Sequence, residues 1–214
     1  MKEMYHLEVI INLEKKGVVK MTFKKCKIFL IVCLLGVLCT SNIEAVNRTP
    51  VFGGRYQNGV GRLIYYIDYP SGTGFYEYLI INSVNNWLHT GKGDNPIEMI
   101  AVSSKQGSNM DFYTAKASHW GGDKNVLGET YFYNNSGTEI NPTSNWSYTE
   151  IYINDDSNRN RYYTEVQGTI THEMGHAFGL KHYNENPYSI MAQTWARKVQ
   201  VVQQCDNDAI NYLY

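Results

Sequence analysis

Long apolar runs, cysteine pairs and excess charge are all scarce in this chain of 214 residues. Its main apolar run, residues 28–38, falls well short of the roughly 20 residues a membrane-spanning helix needs. A permanent span is therefore not expected. Of four cysteines, Cys26, Cys33 and Cys39 crowd around that run and Cys205 stands alone in the remainder. With Cys26, Cys33 and Cys39 read as part of an export signal, Cys205 alone in the mature chain leaves no internal disulfide and no cysteine-built zinc site. Stability must then come from core packing, with bound ions as the other available source. No internal repeat or low-complexity tract is present, so a solenoid is excluded. Formal net charge is −1, but residues 1–45 hold seven of the 19 basic side chains and only four of the 20 acidic ones. The rest of the chain is mildly acidic, which argues against nucleic acid or an anionic membrane as the main partner.

The basic excess sits where an export signal needs it. Lys24, Lys25 and Lys27 precede the apolar run, and Cys39, Thr40 and Ser41 follow it. Basic segment, short apolar segment and small residues are the three parts of a secretory signal peptide. Residues 1–45 are therefore read as an N-terminal extension plus signal, with Met21 as the expected true start, and the mature protein as secreted. Residues 46–60, with Pro50, Gly53, Gly54 and Gly59, read as an extended leader.

Beyond it the periodicity alternates between two and 3.6. Residues 62–68 are β-branched and aromatic and stop at Pro70-Ser71-Gly72, which predicts a strand. Residues 75–89 place Tyr78, Ile81, Val84, Trp87 and Leu88 at helical spacing. Strands are expected at 97–103, 111–118, 127–134 and 149–154. A helix over 163–180 carries Val166, Ile170, Met174 and Ala177 or Phe178 on one face, and a last helix starts near Asp206 as its N-cap. The class is α+β, with a twisted mixed five-stranded sheet and two long helices.

Three of the six histidines fall within residues 172–182, in the run His172-Glu173-Met174-Gly175-His176-Ala177-Phe178-Gly179-Leu180-Lys181-His182. Side chains four apart on a helix share a face, so His172 and His176 can bind one zinc at about 2.0–2.1 Å each. Glu173, about 100° around the helix, stands beside the metal and within reach of a water bound to it. An unbroken helix would carry His182 to another side. Glycine tolerates positive φ and commonly ends helices, so a turn at Gly179 can swing His182 back. Three neutral imidazoles leave one tetrahedral position open, the arrangement of a catalytic zinc. Glu173 would take a proton from the attacking water and pass it to the leaving amine. All five pattern residues would coincide by chance in about one in 10⁴–10⁵ chains of this length.

This stretch resembles the zinc signature of the metzincin metallopeptidases, and Ser189-Ile190-Met191 resembles their Met-turn. Within that clan the closest similarity is to the matrixins, carried by Gly179-Leu180 before the third histidine and by the chain end from Asp206 to Tyr214. Tyr183 departs from the serine usual after that histidine. The resemblance implies a metzincin-like catalytic domain over 61–214 and a monomeric zinc endopeptidase of bacterial type. It also implies Met191 as a hydrophobic floor beneath the metal. An extended peptide substrate would lie along an edge strand at 127–132, with a pocket wall from 188–195 whose aromatic residues point to an apolar preference. His119-Trp120-Gly121-Gly122-Asp123 is similar to a matrixin structural-zinc loop, but its partner histidines are missing and no second zinc is expected. Asp155, Asp156 and Asn158 offer hard oxygen atoms that could take calcium, although a solvated turn is the better reading. A zinc-binding adhesion module without hydrolysis is the rival function. Glu173 argues against it, since a binder needs no carboxylate beside the metal.

Overall fold

The computed structural model describes residues 47–68 and 74–214. The signal segment, the start at Met21 and the turn at Pro70 lie outside the described residues. Residues 47–214 form one compact unit. In chain order its elements are β1 (Leu63–Ile67), α1 (Gly74–Leu88), β2 (Met99–Val102), β3 (Met110–Ala115), a 3₁₀ turn (Ala117–Trp120), β4 (Gly128–Tyr133), β5 (Tyr148–Asn154), the short α2 (Asp155–Asn158), α3 (Tyr163–Ala177) and α4 (Gln204–Leu213). This is the expected α+β arrangement with a mixed five-stranded sheet.

The sheet order is β2-β1-β3-β5-β4. The first four strands pair in parallel, whereas β4 runs antiparallel to β5 with Gly128 opposite Ile153 and Tyr133 opposite Tyr148. β1 and β5 alternate between buried and half-buried positions, as a strand with one face on the core must. The expected strand at 111–118 ends earlier. After Ala115 the chain tightens into the 3₁₀ turn, closed by Gly121 in the left-handed conformation.

α1 presents a different face from the one its spacing suggested. Tyr76, Leu79, Ile80, Ser83, Val84 and Trp87 are buried, while Tyr78 and Ile81 face solvent. Two apolar stripes overlap on this helix, and the one that seats the Trp87 ring fully inside is the one packed inward. α3 packs as its pattern predicts, with Val166, Ile170, Met174 and Ala177 completely buried. Two buried tryptophans brace it. The Trp87 indole N–H donates to the Thr171 carbonyl at 2.9 Å, and that of Trp146 donates to the Ala177 carbonyl at 3.1 Å. A buried indole needs such a partner, and here the partners lie along the helix that bears the histidine motif.

Candidate metal centre

His172 and His176 lie in the last two turns of α3, and the helix stops at once after them. Phe178 is its C-cap, and Gly179 takes φ +109°, a conformation that side chains oppose. The reversed chain is pinned by the residues before the sheet: Phe52 N–H donates to the Gly179 carbonyl at 2.8 Å and Lys181 N–H to the Pro50 carbonyl at 2.7 Å. His182 returns to the other two histidines. The three offer ring nitrogens that all lie within 4.8 Å of one another, and His176 Nε2 stands 3.2 Å from His182 Nε2. Two nitrogens sharing a tetrahedral zinc would be about 3.3 Å apart. The donor set and its spacing fit that ion.

The tautomers are set from behind. His172 Nδ1 donates to the Ile190 carbonyl and His176 Nδ1 to the Leu180 carbonyl, each at 2.8 Å. Both Nε2 lone pairs are thereby aimed at the common point. Burial, reinforced by neighbouring histidines, holds the His172 imidazole well below its ordinary range and His176 down at about 4. Burial shifts His182 the same way. Neutral rings are the metal-binding form, so three positions are ready for a cation.

Glu173 is almost fully buried. Burial pushes its carboxyl up to about 7, against the lowering effect of the Thr130 hydroxyl. That hydroxyl lies 2.9 Å from both Glu173 Oε2 and the Glu173 carbonyl oxygen. Thr130 belongs to β4, so the edge strand itself orients the acid group. Nothing in the sequence pattern marked this residue.

Met191 is fully buried, and a Cβ at residue 175 would come within 2.3 Å of its sulfur. Gly175, between the two helical histidines, therefore leaves the space in which Met191 packs against α3. The turn holding Met191 is tied down by Asp206, which is not the N-cap expected of it. α4 begins at Gln204, so Asp206 is its third residue and points inward. Its Oδ1 accepts from the Ser189 and Thr49 hydroxyls at 2.6 Å each, and its Oδ2 from the Ile190 and Gln203 N–H groups at 3.0 Å each. Asp206 thus holds the residue whose carbonyl orients His172. Sequence reasoning saw only its capping value.

Two open cavities meet at this centre. One, of about 670 Å³, is lined by Phe52, Trp120, Glu129, Phe132, Glu173 and His176 among others. The second, of about 610 Å³, is lined by Leu127, Gly128, His172, Glu173, His182, Trp195 and Arg197 among others. Glu173, His182 and Gly128 border both. β4 is an outer strand of the sheet and forms part of the rim. Of the expected wall, Gln193, Thr194 and Trp195 line the second cavity, whereas Tyr188 does not.

The oxygen cluster at 155–158 does not form an open loop. It is the helical turn α2, where Lys116 reaches Asp155 at 2.5 Å and Asp156 at 3.5 Å, Arg159 also pairs with Asp155, and the Ala117 N–H donates to Asp156 at 3.0 Å. Those carboxylates are engaged by the chain's own cations. His119 stacks on Tyr152 with centroids 4.6 Å apart. Among the described residues the His172, His176 and His182 group is the one cluster able to hold a metal ion.

A family model described as matrixin matches residues 89–214, more than half of the chain, including His172, Glu173, His176, His182 and Met191. No curated protein matches the chain.

Proposed function

Because the chain belongs to the matrixin family of zinc metalloendopeptidases, we propose that it hydrolyses peptide bonds with His172, His176 and His182 as the metal ligands and Glu173 as the catalytic base. The observation that carries this reading is a buried carboxylate next to three converging neutral imidazoles, on the rim of an open cleft. Zinc, when bound there, supplies Lewis acidity that polarises the substrate carbonyl and acidifies water.

The protein's own groups do the rest. The Ile190 and Leu180 carbonyls hold two imidazoles in the ligating tautomer. Thr130 fixes the Glu173 carboxylate, whose burial raises its basicity toward neutrality, although a nearby cation would oppose that shift. Glu173 accepts the proton of the attacking water and delivers it to the leaving nitrogen. An extended peptide would pair by backbone hydrogen bonds with the outer side of β4 ahead of Phe132, whose carbonyl already accepts from the Ile140 N–H, which suits an edge strand. The catalytic domain is assigned to 61–214, with the leader at 47–60 packed into the same compact unit, and the signal before it to export, so the site of action is outside the cell. No helix among the described residues is long and apolar enough to cross a membrane.

The test uses the zinc-loaded protein and an unstructured substrate such as casein. Chelator should abolish cleavage and added zinc restore it. Glu173→Gln should retain zinc by metal analysis while turnover falls by about 10² or more, the scale of general-base loss. Undiminished cleavage by Glu173→Gln would falsify the base assignment. Absence of cleavage by the parent would favour the adhesion-module reading.

A further inference from the structure

We propose that the cavity bounded by His172, Glu173 and Arg197 is a carboxylate-binding subsite, so that the enzyme prefers an acidic side chain on a residue flanking the scissile bond. This rests on the peptidase reading above and adds the substrate class.

Arg197 is only 9 % exposed, and its Nε has no hydrogen-bond partner. Among the described residues no carboxylate pairs with it. A buried guanidinium ordinarily has a partner, because stripping water from a charge is costly unless it is paired. Glu173 and Glu165 act on Arg197 only through space. Arg197 is among the residues that line the cavity bordered by His172, Glu173 and His182.

The surroundings are built for this arrangement. A Cβ at residue 168 of α3 would meet Gln200 Oε1 at 1.8 Å and Arg197 Nη2 at 3.2 Å. Glycine in a helix interior costs about 1 kcal/mol relative to alanine, and here it admits both side chains against the helix. Lys124 and Arg161 line the cavity as well, Arg161 with its Nη2 3.5 Å from Glu165. Arg161 Nε is likewise buried without a partner. The aromatic wall expected from the sequence is present as Trp195, which is 78 % exposed and so frames the mouth more than the interior. A planar guanidinium matches a carboxylate through paired hydrogen bonds. An apolar side chain would leave it unpaired, a mismatch that a hydrogen-bonding site rejects.

The experiment compares matched fluorogenic peptides with amidated C-termini that carry Glu, Gln or Leu on either side of one scissile bond. A second set with a free C-terminal carboxylate at the same positions separates a side-chain requirement from terminal-carboxylate capture. The zinc-loaded parent should cut the Glu peptide with kcat/KM at least about tenfold above Gln and Leu on one side of the bond. Arg197→Met should remove that preference while still cutting the Leu peptide, which also shows that it folds. Arg197→Lys should keep part of it. Preference for Leu, or an unchanged Glu preference in Arg197→Met, overturns the assignment while leaving the peptidase intact. Preference confined to free-terminus peptides replaces the side-chain reading with terminal capture. Failure to cut any peptide sinks both the subsite and the activity it serves.

Discussion

Removing the Asp206 carboxylate should loosen the metal centre from a distance. Asp206 touches none of the three histidines, yet it accepts from the Ile190 N–H, and the Ile190 carbonyl receives His172 Nδ1–H. In Asp206→Ala the buried Ile190 N–H loses its acceptor and the Gln203 N–H loses one that water can partly replace. The Ser189 and Thr49 hydroxyls lie 3.2 Å apart and can still bond to each other. An orphaned buried donor costs about 1–3 kcal/mol, so the total should be about 3 kcal/mol. For a domain of this size that lowers Tm by about 6–12 °C.

Asp206→Asn should be milder, at about 1–2 kcal/mol. Its single acceptor oxygen can serve the two N–H groups while its amide faces the hydroxyls, whose lone pairs can accept. The second readout is zinc affinity, measured by competition with a chelator of known strength. Loss of an outer partner typically weakens a site about 10–100-fold, and the ranking should be parent, Asn, Ala. Thermal unfolding is followed by circular dichroism on the metal-free protein, so that lost zinc does not enter the stability difference. An Asp206→Ala protein with unchanged Tm and unchanged zinc affinity would refute the claim that α4 supports the turn. A lower Tm with intact affinity would refute only the link through Ile190 to His172.

Two further outcomes are expected. Gly179→Ala must adopt φ +109° with its new methyl 2.9 Å from Leu213 Cδ1, which should cost about 2 kcal/mol and weaken zinc binding by displacing His182; unchanged affinity by the same competition assay would mean that the turn does not set the third ligand. Acid should destabilise the fold through Glu150 and Asp155. Burial alone would push both carboxyls up, but Lys105 and the Tyr148 hydroxyl outweigh it at Glu150, and Lys116 and Arg159 at Asp155, so both sit below their ordinary values. A depressed folded-state pKa contributes stability above the unfolded value and loses it as pH falls through the folded one. Tm of the metal-free protein should therefore decline as pH drops below about 4, and a smaller decline in Glu150→Gln than in the parent would trace the effect to that group.

The legible parts of this protein are those whose signal is local. The face of α3 could be read from Val166, Ile170 and Met174, because a 3.6-residue period leaves one stripe to bury. The metal set could be read from spacing, because His172 and His176 share that helix and Gly179 is the one residue between it and His182 suited to a positive φ. α1 shows where local reading fails. Tyr78 and Ile81 have the right spacing, but Leu79 and Ile80 compete for the same helix, and only the partner surface decides between them. Asp206 likewise looked like a cap because a helix start explains an aspartate without reference to anything distant, whereas its partners Thr49 and Ser189 are 157 and 17 residues away.

By itself the sequence determined the chemistry: three imidazoles, an adjacent carboxylate and a glycine to turn the chain all lie within residues 172–182, where helix geometry relates His172, Glu173 and His176 and the glycine turn returns His182. Tertiary structure decided how that chemistry is held and what it faces. Thr130 arrives from the edge strand, the Ile190 carbonyl from the turn, and Arg197 beside Gly168 from the segment after it. None of these has a fixed spacing to the motif, so no pattern along the chain could announce it. Their positions follow only from how sheet and helices pack into one core.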